Sequence, residues 1–319
     1  MSFTAQIKSE ICSIKTTETE KISELSAIVN NISEIGKNIN ISTENIAVFK
    51  HIYDLITSIY HIEPRIIVRQ GYNFNKNHLY ILEIESNVDT ILDDLSIKKN
   101  GKILNVPEDY IIDDFELLRA YLRGMFIAVG SINDPKTSRY HLEMIVNNRE
   151  YAEFISKKLN KNNLKSKIIK RDNKYMIYIK ESEKISDFLR MIKANNAVLY
   201  YEDIRIYRDY KNMTNRLNNC EQANIDKMIQ TANTQVLDIE LIEKYGSLDL
   251  LPDKVKEVAI YRKKYPEVSL LELSQIITIE TGNEITKSGI YHRMKKINDL
   301  ANKIRDKQKG SLSNSVGQQ

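Results

Sequence analysis

Residues 122–131 read Leu122-Arg-Gly-Met-Phe-Ile-Ala-Val-Gly-Ser131. Their apolar periodicity extends upstream to Phe115, so the stretch is the C-terminal part of a helix over residues 115–129 that stops before Gly130. Working outward, a strand is expected over 140–146, a helix over 149–159, strands over 166–170 and 175–180 around Asp172-Asn173, and a helix over 184–192. The first third of the chain repeats this order. An apolar stripe of Ile22, Leu25, Val29 and Ile32 precedes a strand over 39–42, a helix over 43–60, strands over 65–69 and 78–85 joined by the turn-rich residues 71–77, and a helix over 88–95. Two copies of helix, strand, helix, hairpin, helix predict an α+β, pseudo-symmetric N-terminal domain.

Beyond Tyr207 the pattern is helical throughout. A helix is expected over 223–244, ending at Tyr245-Gly246, and another over 252–264, opened by Pro252 and stopped at Pro266. Ser269-Leu-Leu-Glu272 fits a capping box, in which serine and glutamate each satisfy a free backbone N–H at a helix start. The helix it opens is expected to be short, 270–277, with a loop from Thr278 to Ile285. The last helix, 287–304, carries Ile290, Met294, Ile297, Ala301 and Ile304 on one stripe. Ser288, His292, Lys295 and Lys296 project from the opposite face, Tyr291 and Arg293 flank it, and Lys287 opens the helix. The organisation is therefore an N-terminal segment 1–20, two half-domains at 21–97 and 115–207 joined by a connector 98–114 with a turn at Asn100-Gly101, a linker 208–221, an all-α domain 222–307 and a disordered tail 308–319.

Composition narrows the function. The 319 residues are 42% hydrophobic and 28% charged, ordinary for a soluble globular protein, and no apolar run is long enough to cross a bilayer. The start lacks a secretory pattern, so a cytoplasmic location is expected. Cys12 and Cys220 are far apart with no histidine at metal spacing, which favours packing residues over a disulfide or zinc site. His51, His61, His78 and His141 form no metal spacing either, and glycine-rich phosphate loops are absent, so no cofactor is expected. The net charge of +4 is unevenly spread. Between Lys287 and Lys309 eight bases face only Asp299 and Asp306, a local +6, leaving −2 for the remainder.

A capped helix, a loop and a second helix that is apolar on one side and basic on the other form the pattern of helix-turn-helix DNA binding. One face packs on the bundle while the other enters the major groove. The candidate DNA-binding residues, within about 269–304, are Lys287, Ser288, Tyr291, His292, Arg293, Lys295 and Lys296. A secondary contact is expected at Lys165, Lys167 and Arg171, which alternation places on one side of a sheet.

Residues 119–133 resemble the LAGLIDADG helix of homing endonucleases, with Leu122, Gly124, Gly130 and Ser131 on the family's positions. The resemblance implies two such helices packed side by side at small residues, here Gly124 and Ala128, each ending in an acid that binds magnesium beside a scissile phosphate. The acid's place is Val129, and in the first repeat, Leu25-Ser-Ala-Ile-Val-Asn-Asn-Ile-Ser33, it is Ile32. Neither side chain offers the carboxylate oxygens a hard cation needs, so no catalytic or metal residue is expected.

The whole chain is similar to the WhiA family of bacterial DNA-binding regulators. Three more stretches carry that likeness: Met1-Ser-Phe3 with Lys8 and Glu10, Asn215–Glu221 leading to Ala223-Asn224, and Lys287–Ile297. It implies a degenerate LAGLIDADG domain joined to a helix-turn-helix domain, double-stranded DNA as partner, nucleoid association, and roles in cell division, chromosome segregation and, where the host sporulates, sporulation. Other regulatory or division proteins are candidate partners of the N-terminal domain. The alternatives are a magnesium-dependent endonuclease using the nearby Glu34 and Asp134, and a protein–protein adaptor. The loop around 279–284 is longer than the family's usual turn and leaves the start of the recognition helix open.

Overall fold

The structure, a computed structural model, describes residues 1–70, 78–137, 139–246 and 248–316. The expected turn at 71–77 lies outside the described residues, as does the end of the tail, 317–319. Two compact units divide the chain, Met1–Tyr210 and Lys211–Gln319.

The first unit contains the duplicated pattern. Helix α1 (Phe3–Ile11) comes first, followed by α2 (Glu18–Ile32), strands β1 (Ser33–Ile35) and β2 (Ile39–Thr43), and α3 (Ile46–Tyr60). The hairpin β3 (Arg65–Gln70) and β4 (His78–Ile84) and helix α4 (Val88–Asp94) close the first half. After a small hairpin, β5 (Lys98–Lys99) and β6 (Lys102–Ile103), the second half gives α5 (Phe115–Val129), β7 (Gly130–Ile132), β8 (Leu142–Val146), α6 (Arg149–Lys161), β9 (Lys167–Arg171), β10 (Lys174–Ile179) and α7 (Ser182–Met191). The sheets have matching antiparallel orders, β1-β2-β4-β3 and β7-β8-β10-β9. Alternation sets their inner faces: Ile39, Ile41, Leu82 and Ile84 are buried in one, Leu142, Met144, Val146 and Ile177 in the other.

Local chemistry fixes the two central helices. Thr17 caps α2 in a capping box, its Oγ1 accepting from the Glu20 N–H (3.3 Å) while the Glu20 carboxylate accepts from the Thr17 N–H (3.1 Å). Asp114 caps α5 by accepting from the Leu117 N–H (2.8 Å). Both helices are 15 residues long and run directly into a short strand. They meet at Gly124, where an added Cβ would lie 2.2 Å from the carbonyl oxygen of Glu24.

Several boundaries differ from the sequence expectation. The N-terminal segment is a helix whose Phe3, Ile7 and Ile11 are buried, and Thr4 Oγ1 donates to the Ile132 carbonyl on β7 (2.9 Å). The connector holds the β5–β6 hairpin, because Asn100 and Gly101 both take positive φ, the geometry of a two-residue hairpin turn. Helix α8 (Asn195–Lys244) starts well before residue 223 and runs unbroken through 208–221, since no glycine or proline interrupts residues 195–244. The Glu10 carboxylate accepts from the first free amides of α8, Asn196 (2.7 Å) and Ala197 (3.1 Å). Cys220, expected to pack, is exposed on α8.

In the second unit the C-terminal part of α8 is followed by α9 (Asp253–Lys264), α10 (Leu270–Thr281) and α11 (Lys287–Val316). Their core comprises Ile239, Ile242, Val255, Val258, Leu273, Ile277, Ile290, Met294, Ile297 and Ala301. Helix α11 continues into the tail expected to be disordered, again without an interrupting proline.

Candidate nucleic-acid interface

The capping box at the start of α10 is formed: Ser269 Oγ accepts from the Glu272 N–H (3.2 Å) and the Glu272 carboxylate from the Ser269 N–H (2.7 Å). That backbone hydrogen bond from Ser269 holds the Glu272 carboxyl below its ordinary range. Helix α10 does not stop at Ile277. The Thr278 and Thr281 hydroxyls donate back to the carbonyls of Ser274 (2.8 Å) and Ile277 (2.7 Å), carrying the helix one turn further to Gly282, whose φ of +73° ends it. The expected long loop is therefore only the turn 282–286. Thr278 Oγ1 accepts from the Ile285 N–H (3.3 Å), pinning the turn, and Thr286 Oγ1 accepts from the Gly289 N–H (3.1 Å), starting α11.

Helix α11 divides its faces as its sequence dictates. Ile290, Met294, Ile297 and Ala301 are buried, whereas Lys287, Ser288, Tyr291, His292, Lys295 and Lys296 are exposed. Tyr291, 56% exposed, meets His292 edge-on with ring centroids 5.7 Å apart. These six side chains, beside the free amides of the helix N-terminus, give one face with donors, an aromatic ring and cations. Arg293 stands apart. It is half-buried and faces Glu257 on α9 at 3.9 Å, which makes it a bundle contact.

Charged groups behind this face stay inside the bundle. Asp238 on α8, only 1% exposed, accepts from Asn298 Nδ2 (2.7 Å) and pairs with Arg305 (2.5 Å). Arg262 is buried without an acid, and its NH1 donates to the Val268 carbonyl (2.7 Å), fixing the turn between α9 and α10. Burial holds that guanidinium below its ordinary pKa. A groove of about 300 Å³ runs between α8 and α11, bordered by Thr231, Thr234 and Asp238 on one side and Tyr291, Lys295 and Asn298 on the other. Sequence reasoning missed this neighbour, because α8 and α11 are far apart in the chain; the only signal was the helical spacing of Lys227, Thr231, Thr234 and Asp238.

The secondary trio is only partly brought together. Lys167 and Arg171 share an exposed face of edge strand β9, with Ile169 between them. Lys165 precedes the strand in a left-handed conformation (φ 49°) and its ammonium pairs with Glu181 at 2.8 Å, so it leaves that face.

At the ends of α2 and α5, Ile32 and Val129 pack against the core as partly buried apolar residues. Asp134 accepts from the Tyr200 hydroxyl (3.2 and 3.3 Å) and the Lys136 N–H (2.9 Å), while Glu34 is exposed on β1. Among the described residues no three His, Cys, Asp or Glu side chains gather as metal ligands, and no helix is long and apolar enough to cross a membrane. The sequence also did not reveal a buried charge cluster inside the helix pair. Glu24 accepts from Arg123 Nε (2.8 Å) and lies 2.7 Å from His51 Nε2, with the Glu24 and Arg123 side chains 0% and 1% exposed.

Two half-domains built on paired helices and followed by a capped helix-turn-helix define a LAGLIDADG-like protein with a helix-turn-helix domain. Family models agree part by part: the WhiA N-terminal LAGLIDADG-like domain matches residues 18–98, the WhiA LAGLIDADG-like domain 118–211 and the WhiA C-terminal HTH domain 214–301. The chain belongs to the WhiA family. It is 41% identical over 311 residues to the probable cell division protein WhiA of Staphylococcus aureus strain JH9, covering 96% of this chain and 98% of that one. Among solved structures, full-length DUF199/WhiA from Thermatoga maritima matches with a TM-score of 0.57 at 26% identity, covering 95% of this chain and 99% of that one. The N-terminal LAGLIDADG domain of DUF199/WhiA matches with a TM-score of 0.50 at 24% identity over 60% of this chain and 90% of that one, a likeness of fold.

Proposed function

We propose that this chain is a non-catalytic, DNA-binding regulator that works on the nucleoid in the cytoplasm, in cell division and chromosome segregation, and in sporulation where its host sporulates. The helix-turn-helix unit, 222–307, supplies the affinity, and the half-domains 21–97 and 115–207 serve as scaffold and docking surface for regulatory or division proteins. The observation that carries this reading is the face of α11: Lys287, Ser288, Tyr291, His292, Lys295 and Lys296 exposed together, on a helix whose other side is buried and whose start follows a short pinned turn. Lys295 and Lys296 meet phosphates or guanine edges, while Ser288, Tyr291 and His292 stand nearest the bases. Lys167 and Arg171 give a weaker backbone contact. The name of the S. aureus relative supports the link to division.

The test is binding of the full chain to duplex DNA across a salt series. Replacing Lys295→Glu and Lys296→Glu abolishes binding or lowers the salt slope by about 1.8, two phosphate contacts at about 0.9 each. Unchanged affinity and slope refute the assignment. Cleavage of plasmid DNA with magnesium, lost on replacing Glu34 and Asp134, refutes its non-catalytic part.

A further inference from the structure

The groove beside α11 places a second helix next to the proposed reading helix. Tyr291 and Lys295 belong to both the exposed face of α11 and this groove, and Thr231, Thr234 and Asp238 of α8 form its opposite wall. The two helices run in the same direction here, since Thr231 and Thr234 stand level with Tyr291 and Lys295 while Asp238 meets Asn298 and Arg305 further along. Helix α8 flanks α11 across this groove, bridged by Asp238 to Asn298 and Arg305, and the major groove is about 12 Å wide. A helix centred in the major groove has a phosphate rim about 6 Å to either side, so a helix flanking it lies over that rim.

The surface chemistry of α8 suits that position. Lys227, Thr231 and Thr234 fall on one stripe and are exposed. The Thr231 and Thr234 hydroxyls spend their protons on the carbonyls of Lys227 (2.8 Å) and Gln230 (2.9 Å), and rotate outward to donate when a phosphate oxygen arrives. The one carboxylate in the groove, Asp238, is buried, neutralised by Arg305 and hydrogen-bonded by Asn298, so its repulsion of an anion is largely offset. The exposed acids of this part of α8, Asp226, Glu240 and Glu243, point to its other sides by helical spacing.

We infer that the segment of α8 carrying Lys227, Thr231 and Thr234 is a second DNA-contacting element, a clamp on one sugar-phosphate strand of the duplex that α11 enters. The inference rests on the DNA-binding reading above and adds a surface to it. Its contacts are with backbone, so they set register and affinity and carry no base preference.

The experiment measures binding of the full chain to a mixed-sequence duplex of about three helical turns, by fluorescence anisotropy across a salt series, with circular dichroism to check helicity. Thr231→Glu with Thr234→Glu weakens binding at least about tenfold through like-charge repulsion. Lys227→Ala lowers the salt slope by about 0.9. Thr231→Arg with Thr234→Arg tightens binding and steepens the slope, which misfolding cannot imitate. Parent-like affinity and slope in all three, while Lys295→Glu with Lys296→Glu loses binding, overturn the clamp and leave the reading of α11 standing. Loss in none of the variants, those at Lys295 and Lys296 included, overturns both.

Discussion

Replacing Gly124 with alanine adds one methyl group where α5 meets α2. The new carbon would lie 2.2 Å from the Glu24 carbonyl oxygen and 2.9 Å from its carbon, against 3.4–4 Å for ordinary contact. Both atoms are backbone in the middle of a helix, so relief requires the helices to separate by more than about 1 Å, pulling on the Glu24–Arg123 pair behind them. Overpacking of this kind costs about 3 kcal/mol at the upper end of its usual range. The helical preference of alanine over glycine returns about 1 kcal/mol, leaving a net loss of about 2 kcal/mol. With a urea dependence of about 2 kcal/mol per molar, the unfolding midpoint falls by about 1 M. Gly289→Ala is the control: its methyl meets only the side chains of Ile285 and Thr286, both at 3.4 Å, so the same substitution there is neutral or stabilising by about 0.5 kcal/mol. Urea titration by far-UV circular dichroism gives the magnitudes, and hydrogen exchange of α2 and α5 peptides gives the location. A Gly124→Ala protein as stable as its parent would refute the close-packing argument.

Three further outcomes are expected. Arg123→Met leaves the buried Glu24 carboxylate without its guanidinium and with His51, 2.7 Å away, as the remaining partner, at a cost towards the lower end of about 3–5 kcal/mol, and adding Glu24→Gln recovers much of it; double-mutant unfolding measures the coupling, and independent, additive effects would contradict the pairing. Alkylation of the native chain followed by peptide mapping labels exposed Cys220 and spares Cys12, which is half-buried and whose thiol is pushed up to about 12 by burial; equal labelling would contradict this. Burial, partly opposed by Cys12, lowers the Lys8 pKa to about 8 from 10.5. The folded state therefore gives up that proton before the unfolded state does, so this contribution to stability grows from about pH 8 towards 10.5 and is lost as pH falls through 8. Lys8→Met removes the rise between about pH 8 and 9, below the range in which the Cys12 thiol, raised from 9.0 to about 12, adds the opposite slope, and an unchanged rise in a pH series of unfolding midpoints would show that Lys8 is not the source.

The duplicated pattern was legible because the inner faces of helices and strands keep strict periods: Leu25 and Val29, or Leu142, Met144 and Val146, mark buried sides from spacing alone. So was the face of α11, whose apolar stripe leaves the cations nowhere to go but outward. The short strands β1 and β7 were not, since three residues carry no period and follow their helices without a turn. The length of α10 was under-read because threonine is a weak helix former, and only the folded chain reveals Thr278 and Thr281 bonding back to Ser274 and Ile277. Arg293 falls at the flank of the basic face by angle, yet Glu257 claims it from another helix. The Glu24–Arg123 pair joins residues 99 apart in sequence, and pairings at that range leave no trace in local pattern.

The apolar contacts of Ile32 and Val129 limit which single substitutions these helix ends accept. An acid placed at either position alone would set a carboxylate against the hydrophobic core, with no cation to offset its desolvation. A carboxylate at either position alone therefore lowers stability without assembling a cation site. Selection acting one substitution at a time is thus held away from a metal site at the ends of α2 and α5, and the apolar seal of the two helix ends persists.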